Sequence, residues 1–189
     1  MDLKPSPEYK KFREEIKLFL KDNLKMVGKA RNPARPNKDE LEWQDKLIKN
    51  GYAARTIPKC YGGFGAEPDV LKSRIIAEEF TNAQIPLGMA NQGISMFVPT
   101  LLELGTEEQK KSWIEKTIKG EVIWCQGYSE PGSGSDLASL QTKAVDDGDD
   151  FIINGQKIWT SSAQFSDMMF CLVRTEADAP PSTKVFHIF

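Results

Sequence analysis

The sequence holds a single histidine, His187, close to its end, and three cysteines, Cys60, Cys125 and Cys171. One histidine leaves a Ser-His-Asp triad or a histidine-based metal centre hard to build. The cysteines stand too far apart for a metal cluster or a redox pair, so no metal is expected, and they fit reduced, buried thiols in a cytoplasmic protein. Long apolar runs are missing as well: none approaches the roughly 20 residues needed to span a bilayer. Met1-Asp2-Leu3-Lys4-Pro5 lacks the apolar segment of a signal peptide. Nor does one sign of charge dominate. A net charge of −2 gives no electrostatic case for nucleic acid or an anionic membrane. There is no internal repeat and no low-complexity tract. What remains is a chain of 189 residues, 40% hydrophobic and 28% charged, an ordinary globular balance with length for one good core or two small domains.

The periodicity changes near Gly120. Before it the chain reads as helices. Ser6 can cap a helix with Pro7 in its first position, and Phe12, Ile16, Phe19 and Leu20 then share one face. A second helix is expected from Lys38 to Asn50, carrying Leu41, Leu47 and Ile48 and closed by Gly51. A third begins near Pro68 and carries Leu71, Ile75, Ile76 and Phe80. A fourth is expected over Leu87 to Leu104. The fifth starts at a capping box, Thr106-Glu107-Glu108-Gln109, shows Trp113, Ile114 and Ile118 on one face, and ends at Gly120. Arg31 to Asn37, rich in Pro and Arg, reads as a surface connection. Tyr61-Gly62-Gly63-Phe64-Gly65 reads as a flexible loop or a plain turn.

Beyond Gly120, strands are expected over Val122 to Tyr128, Gln141 to Val145, Phe151 to Ile153 and Met168 to Thr175. Asp146-Asp147-Gly148-Asp149-Asp150 reads as a turn, and Asn154-Gly155 as a hairpin signal. Helices followed by strands predict an α+β chain: an all-α domain over 1–120, then an antiparallel β-domain over 121–189.

Chemistry concentrates in two segments. The first is Gln126-Gly127-Tyr128-Ser129-Glu130-Pro131-Gly132-Ser133-Gly134-Ser135-Asp136, placed at a strand end. Glycines let backbone N–H groups converge on an anion and serines add hydroxyl donors, so a phosphate or pyrophosphate is a natural guest. No Lys follows the last glycine, which rules out a Walker loop, and the helical segment upstream rules out a Rossmann fingerprint. From spacing alone an ordinary Gly/Ser turn stays open. The second is Asn154-Gly155-Gln156-Lys157-Ile158-Trp159-Thr160-Ser161. It reads either as a hairpin with a half-buried Trp or as an aromatic plane and hydroxyls offered to a flat heterocycle.

In this order and at about this separation, the two segments resemble the middle domain of the acyl-CoA dehydrogenases. Ile57-Pro58-Lys59-Cys60-Tyr61-Gly62-Gly63-Phe64-Gly65 resembles that family's loop after the second helix, with Cys60 where an acidic residue is usual. Leu104-Gly105-Thr106-Glu107-Glu108-Gln109-Lys110 resembles its approach to the last helix of the first domain. The resemblance runs from about residue 7 to residue 179.

It implies an incomplete β-domain of the acyl-CoA dehydrogenase type and FAD as cofactor. Gln126, Gly127, Tyr128 and Ser129 would run along the flavin ring, Ser129 bonding its pyrimidine end. Gly134 and Ser135 would cradle the pyrophosphate, and Ser135 would also touch the acyl-CoA substrate. Trp159 would pack on the isoalloxazine, with Thr160 beside it. Ser161 would supply a hydroxyl near N5, where a Thr is usual. Gly93 to Thr100 would lie along the acyl chain. The implied reaction is α,β-dehydrogenation of an acyl-CoA thioester, with an electron-transfer flavoprotein as acceptor and a homo-oligomer, dimer or tetramer, in the full-length family.

The resemblance also implies a carboxyl-terminal helical half that supplies the catalytic base. No catalytic residue is therefore assigned in these residues, and Glu130 is read as a local hydrogen-bonding group. A truncated chain inactive and marginally stable alone is the first expectation. A non-catalytic flavin- and acyl-CoA-binding subunit with a complete partner, or a related acyl-CoA oxidase, are the alternatives. Pro180 to Phe189 departs from the family. With one added base, a permitted codon choice for Ser182 to Phe189 reads Lys-His-Gln-Gly-Ile-Ser-Tyr-Phe, which restores the family's Gly-Ile-Ser. A reading-frame shift with a poorly placed tail is thus expected.

Overall fold

Helices form where periodicity and capping coincide. The computed structural model of the protein describes residues 6–23, 35–175 and, by backbone, 186–188. The chain divides into two compact units. One takes in the described residues up to Ala90 with Val98–Glu121, the other Asn91–Phe97 with the described residues from Val122 onward.

The first unit is helical: α1 (Pro7–Asn23), α2 (Lys38–Lys49), α3 (Val70–Asn82), α4 (Val98–Leu104) and α5 (Glu107–Ile118). Its core joins Ile16 and Leu20 of α1, Trp43 and Leu47 of α2, and Ile75, Ile76 and Phe80 of α3. Phe12 and Phe19 of the α1 face pack against it half-buried. Arg13 reaches from α1 to Glu79 and, at 2.7 Å, to Glu78 of α3. Gln44, fully buried, donates Nε2 to the Ile118 carbonyl (2.7 Å) and accepts from the Met89 N–H (2.9 Å), tying α2 to the end of α5.

The Thr106–Gln109 capping box is present as expected. A second one, Asn37 with Glu40, starts α2 and was legible as N-x-x-E. Asp69 caps α3. Gly51 closes α2 at φ +72, with a Cβ there only 2.8 Å from the Phe64 ring. The expected fourth helix is shorter than read. Gly88 sits at φ +89, a π turn spans Gly93–Phe97, and only α4 is regular. Pro99 lacks the N–H that an α-helix would donate to Ser95, which disfavours a regular helix through that turn. The Tyr61–Gly65 segment is a closed turn rather than a flexible loop, since Phe64, Gly65 and Ala66 donate to the carbonyls of Ala54, Ile57 and Arg55. Residues 31–34 of the Arg31–Asn37 connection lie outside the described residues.

The second unit holds β1 (Trp124–Gly127), β2 (Lys143–Asp147), β3 (Asp150–Asn154), β4 (Met168–Arg174) and β5 (Phe186–Ile188). The order is β1-β4-β2-β3, with β5 on β4. The antiparallel expectation is corrected: the sheet is mixed. β1 runs parallel to β4, with Trp124 opposite Met168 and Gly127 opposite Cys171. β2 also meets β4 in parallel, at Lys143 and Arg174. Only β2–β3 and β4–β5 are antiparallel. Consecutive strands suggest hairpins, but the long connection between β1 and β4 allows a crossover, and crossovers give parallel pairs.

The hairpin turn is the aspartate-rich one, with Gly148 at φ +81 between β2 and β3. Asn154-Gly155 is not a hairpin turn: an irregular stretch follows it. A Cβ on Gly155 would fall 2.3 Å from the Thr142 hydroxyl, so this glycine answers to a close approach. Phe186–Ile188 is paired with Leu172–Arg174, which corrects the expectation of an unplaced tail for those three residues; Pro180 to Val185 and Phe189 lie outside the described residues. A Phe-His-Ile run has strand character, and β1 pairs β4 only from Met168 to Cys171, short of the Leu172–Arg174 stretch that β5 meets. Aromatic rings fill this unit's core: Phe97 stacks on Trp124 at 3.8 Å between centroids, and Phe170 lies at 5.7 Å from Phe97.

Candidate functional site

Strand β1 delivers the Gly/Ser segment at its carboxyl end, as the sequence suggested. Gly127 is buried, and a Cβ there would meet the Met169 sulfur at 2.6 Å and the Cys171 sulfur at 3.2 Å, so packing favours glycine. The half-buried Tyr128 ring stands edge-on to Phe170 (5.8 Å). Burial raises its phenol pKa, against a hydrogen bond with the Gln126 side chain that lowers it. The chain then closes a tight turn in which Glu130 and Ser133 exchange backbone hydrogen bonds of 2.7 and 3.1 Å. Ser133, fully buried, donates its hydroxyl to the Asp136 carbonyl (2.8 Å), so this serine is used internally.

The neighbouring glycines differ in kind. A Cβ on Gly132 or Gly134 would meet nothing within 4 Å. The protein's own packing does not require glycine at either place, and the backbone there stays open to a guest. Ser135 is exposed beside Gly134. A cleft of about 360 Å³ opens next to Pro131 and Gly132 and reaches Gly155 and Gln156.

The second segment runs alongside the first. Ile158 donates its N–H to the Ser129 carbonyl (2.9 Å). Lys157 donates Nζ to the Tyr128 carbonyl (3.0 Å) and to Glu130 Oε1 (2.8 Å). Trp159 follows at φ +57, a left-handed conformation uncommon for a bulky side chain, and its side chain is 85% exposed. A half-buried tryptophan, the bland sequence reading, is therefore overturned. Ser161 donates its N–H back to the Trp159 carbonyl (3.0 Å), and Ser162 is also left-handed at φ +68. Thr160 is half-buried and Ser161 exposed. Tyr128 and Ser129 are thus joined to the run leading into Trp159, Thr160 and Ser161. Gly134 and Ser135 follow the turn, and the bonds that join the two segments involve Tyr128, Ser129 and Glu130 instead.

Glu130 organises the site. Besides Lys157, its carboxylate accepts the backbone N–H of Gln141 (2.6 Å) and of Thr142 (2.9 Å). Burial by itself would raise its pKa, but the Lys157 ammonium and the donors of Thr142 and Gln141 outweigh it and hold the group at about 2. A carboxylate so acidic and so fully bonded is not a proton acceptor near neutral pH. The role of Lys157 was missed from the sequence. A signal existed: Glu130 is the only charge between Glu121 and Asp136, and Lys157 the only one from Phe151 to Ser166. Of the thiols, Cys125 and Cys171 are buried on neighbouring strands, while Cys60 is exposed, contrary to expectation. No helix among the described residues is long and apolar enough to cross a membrane.

Residues 6–121 match the family described as Acyl-CoA dehydrogenase, N-terminal domain, and residues 125–189 match Acyl-CoA dehydrogenase, middle domain. Acyl-CoA dehydrogenase IpdE1 of Mycobacterium tuberculosis is 35% identical over 176 residues, covering 89% of this chain and 45% of the relative. Acyl-CoA dehydrogenase FadE34 of the same organism is 52% identical over 141 residues, covering 75% of this chain and 19% of the relative. Among solved structures, the ChsE4-ChsE5 complex from Mycobacterium tuberculosis gives a TM-score of 0.73 at 30% identity, covering 100% of this chain and 48% of that one. The Tcur3481-Tcur3483 steroid ACAD gives 0.71 at 33% identity, with 100% and 48% covered. The chain spans about half the length of these two solved structures and of IpdE1. With matches to two of its successive domains running from residue 6 to residue 189, the chain belongs to the acyl-CoA dehydrogenase family.

Proposed function

We propose that this chain contributes the flavin- and acyl-CoA-binding part of an FAD-dependent acyl-CoA dehydrogenase, an oxidoreductase acting on the CH–CH bond next to a thioester. The observation that carries the reading is Trp159: a left-handed, 85% exposed indole, held next to Ser129 by the Ile158 hydrogen bond. An aromatic plane kept in a costly conformation and left uncovered suits a flat heterocycle. Gly132 and Gly134, with open space where a Cβ would be, suit the close approach of a pyrophosphate.

In this reading Trp159 packs on the isoalloxazine, Thr160 and Ser161 offer hydroxyls to its edge, and the Gln126–Ser129 backbone lines the ring. Gly134 and Ser135 hold the pyrophosphate, and Ser135 also contacts the acyl-CoA. FAD, when bound, accepts the hydride from the acyl chain. Among the site's residues Glu130 is not available as the base, since its carboxylate is bonded to Lys157, Gln141 and Thr142. In this reading residues 1–189 by themselves do not turn over acyl-CoA. The reading further includes a cytoplasmic, homo-oligomeric protein that passes its electrons to an electron-transfer flavoprotein.

A second reading, a non-catalytic subunit beside a complete partner, is favoured by one finding. A solved structure similar over the whole chain is itself described as a complex, ChsE4-ChsE5.

The test is a flavin titration of the purified chain and two variants. Trp159→Ala is expected to weaken FAD binding by about 1 kcal/mol beyond lost area, and Ser135→Ala by roughly 1.5–3 kcal/mol. Unchanged affinity in both variants would remove the cofactor assignment. Reduction of an artificial acceptor by the chain with acyl-CoA, above a protein-free blank, would remove the inactivity.

A further inference from the structure

The indole of Trp159 is 85% exposed, so its own packing does not impose its left-handed backbone. An L side chain at φ +57 persists only where the surrounding structure over-determines it. The constraint must therefore arrive through the chain on either side. On the amino-terminal side it leads to one buried ion pair. Lys157, two residues before Trp159, has a side chain only 8% exposed, and Glu130 only 7%.

Three stretches of chain meet at that pair. Lys157 Nζ binds the Tyr128 carbonyl at 3.0 Å and Glu130 Oε1 at 2.8 Å. Glu130 binds the N–H groups of Gln141 at 2.6 Å and Thr142 at 2.9 Å. The next bond along, from Ile158 to the Ser129 carbonyl, places Trp159 beside the end of the Gly/Ser segment. A buried ion pair is weak as a stabiliser, because apolar residues of similar volume do as well or better. Its use here is geometric: two charges and four donors define one arrangement of three segments, where an apolar contact would tolerate several.

We propose that the Glu130–Lys157 pair is a positioning device, which holds Ser129 and the left-handed Trp159 in the single orientation that a flat cofactor requires. This rests on the flavin reading for the identity of the guest, but not for the ordering of Trp159.

The test replaces both charges at once. In Glu130→Gln/Lys157→Met, the single Gln carbonyl oxygen keeps one of the two backbone bonds, to Gln141 or to Thr142, the other is given up, and Met fills the volume of the lysine stem. Neither single buried charge is left unpaired. Three quantities are read: the thermal melt, the fluorescence anisotropy of Trp159 (by difference from Trp159→Phe in each background), and the FAD titration. The expected result is a folded variant with a melt modestly below that of the parent chain, a clear fall in Trp159 anisotropy, and FAD affinity lower by about tenfold. A purely structural pair predicts parental anisotropy and affinity in the folded variant whatever its melt, and that result would overturn the proposal.

Should the double variant not fold, Glu130→Gln alone keeps the side-chain shape and leaves Lys157 its bond to the Tyr128 carbonyl, at the loss of the counter-charge and of one backbone bond. It is expected to give a smaller fall in anisotropy, and a folded Glu130→Gln with parental anisotropy would overturn the proposal equally. If neither Trp159→Ala nor Ser135→Ala weakens FAD binding, the flavin reading fails, while the anisotropy comparison still decides the role of the pair.

Discussion

Trp43 and Trp159 carry the same indole in opposite circumstances. Trp43, in the helical unit, is 5% exposed; it stacks near Phe19 and donates its N–H to the Pro86 carbonyl at 3.0 Å. Trp159, in the β unit, is held open by its backbone. The contrast extends to whole elements. In α1–α3 most of the apolar stripe packs into one core, with Leu18, Val70 and the expected stripe residue Leu71 left exposed, whereas β3 exposes Phe151, Ile152 and Ile153 in succession, and Met168 and Met169 are exposed at the start of β4. Apolar residues in the helical unit largely answer to its own stability. In the β unit, β3 and the start of β4 leave apolar side chains uncovered by the unit itself.

The comparison can be broken at its two ends. Trp43→Ala should carry the largest cost, about 3–5 kcal/mol, from lost packing and cavity formation, read as a lower urea midpoint for loss of helical circular dichroism. A change below about 1 kcal/mol would mean that the helical core is not the cooperative unit it looks to be.

Acid should come next, and it should fall on the β unit. The pKa of Glu130 is lowered from 4.5 to about 2 in the folded protein. A depressed carboxylate stabilises the fold fully above its unfolded pKa and loses that contribution as pH falls through the folded value. Between about pH 4.5 and 2 the loss should be on the order of 3 kcal/mol. In the helical unit Glu78 is also lowered, by Arg13 and Arg74, but its exposure to solvent screens it and the effect there should be small. Urea midpoints at pH 7, 4 and 2.5 would check the difference, with β-strand and helix signals followed separately. A loss shared equally by the two signals would sink it.

Thr106→Ala should cost about 1 kcal/mol by removing the cap that accepts the Gln109 N–H, seen as a modest fall in the helical melt. Trp159→Ala should change stability least, within about ±0.5 kcal/mol, because an exposed side chain on a strained backbone has little packing to lose. A drop of 2 kcal/mol in that variant would show that the indole is structural after all, and the whole contrast with Trp43 would fall.

Most helix positions were legible because their signals are local. The α1 stripe, the Thr106 capping box, Gly51 and Gly120 each act within a few residues of themselves. The aspartate-rich turn between β2 and β3 was legible for the same reason. The π turn at Gly93–Phe97 was not, because an apolar stretch with a late proline still scans as helix. The misread Asn154-Gly155 shows how a local signal is overruled: that glycine has to pass the Thr142 side chain, more than ten residues back.

The residue pattern by itself therefore determined the helices other than the fourth, the strand segments β1 to β4 and the two stretches that make the candidate site, since propensity, capping and turn chemistry are properties of neighbouring residues. Tertiary structure alone decided that β1 and β4 run parallel, that Glu130 and Lys157 meet out of water, and that Trp159 faces outward on a left-handed backbone. Those features join residues roughly 30 to 45 positions apart. Their free energy comes from desolvation and from hydrogen bonds that exist only once the segments have been brought together, and no short window of sequence contains them.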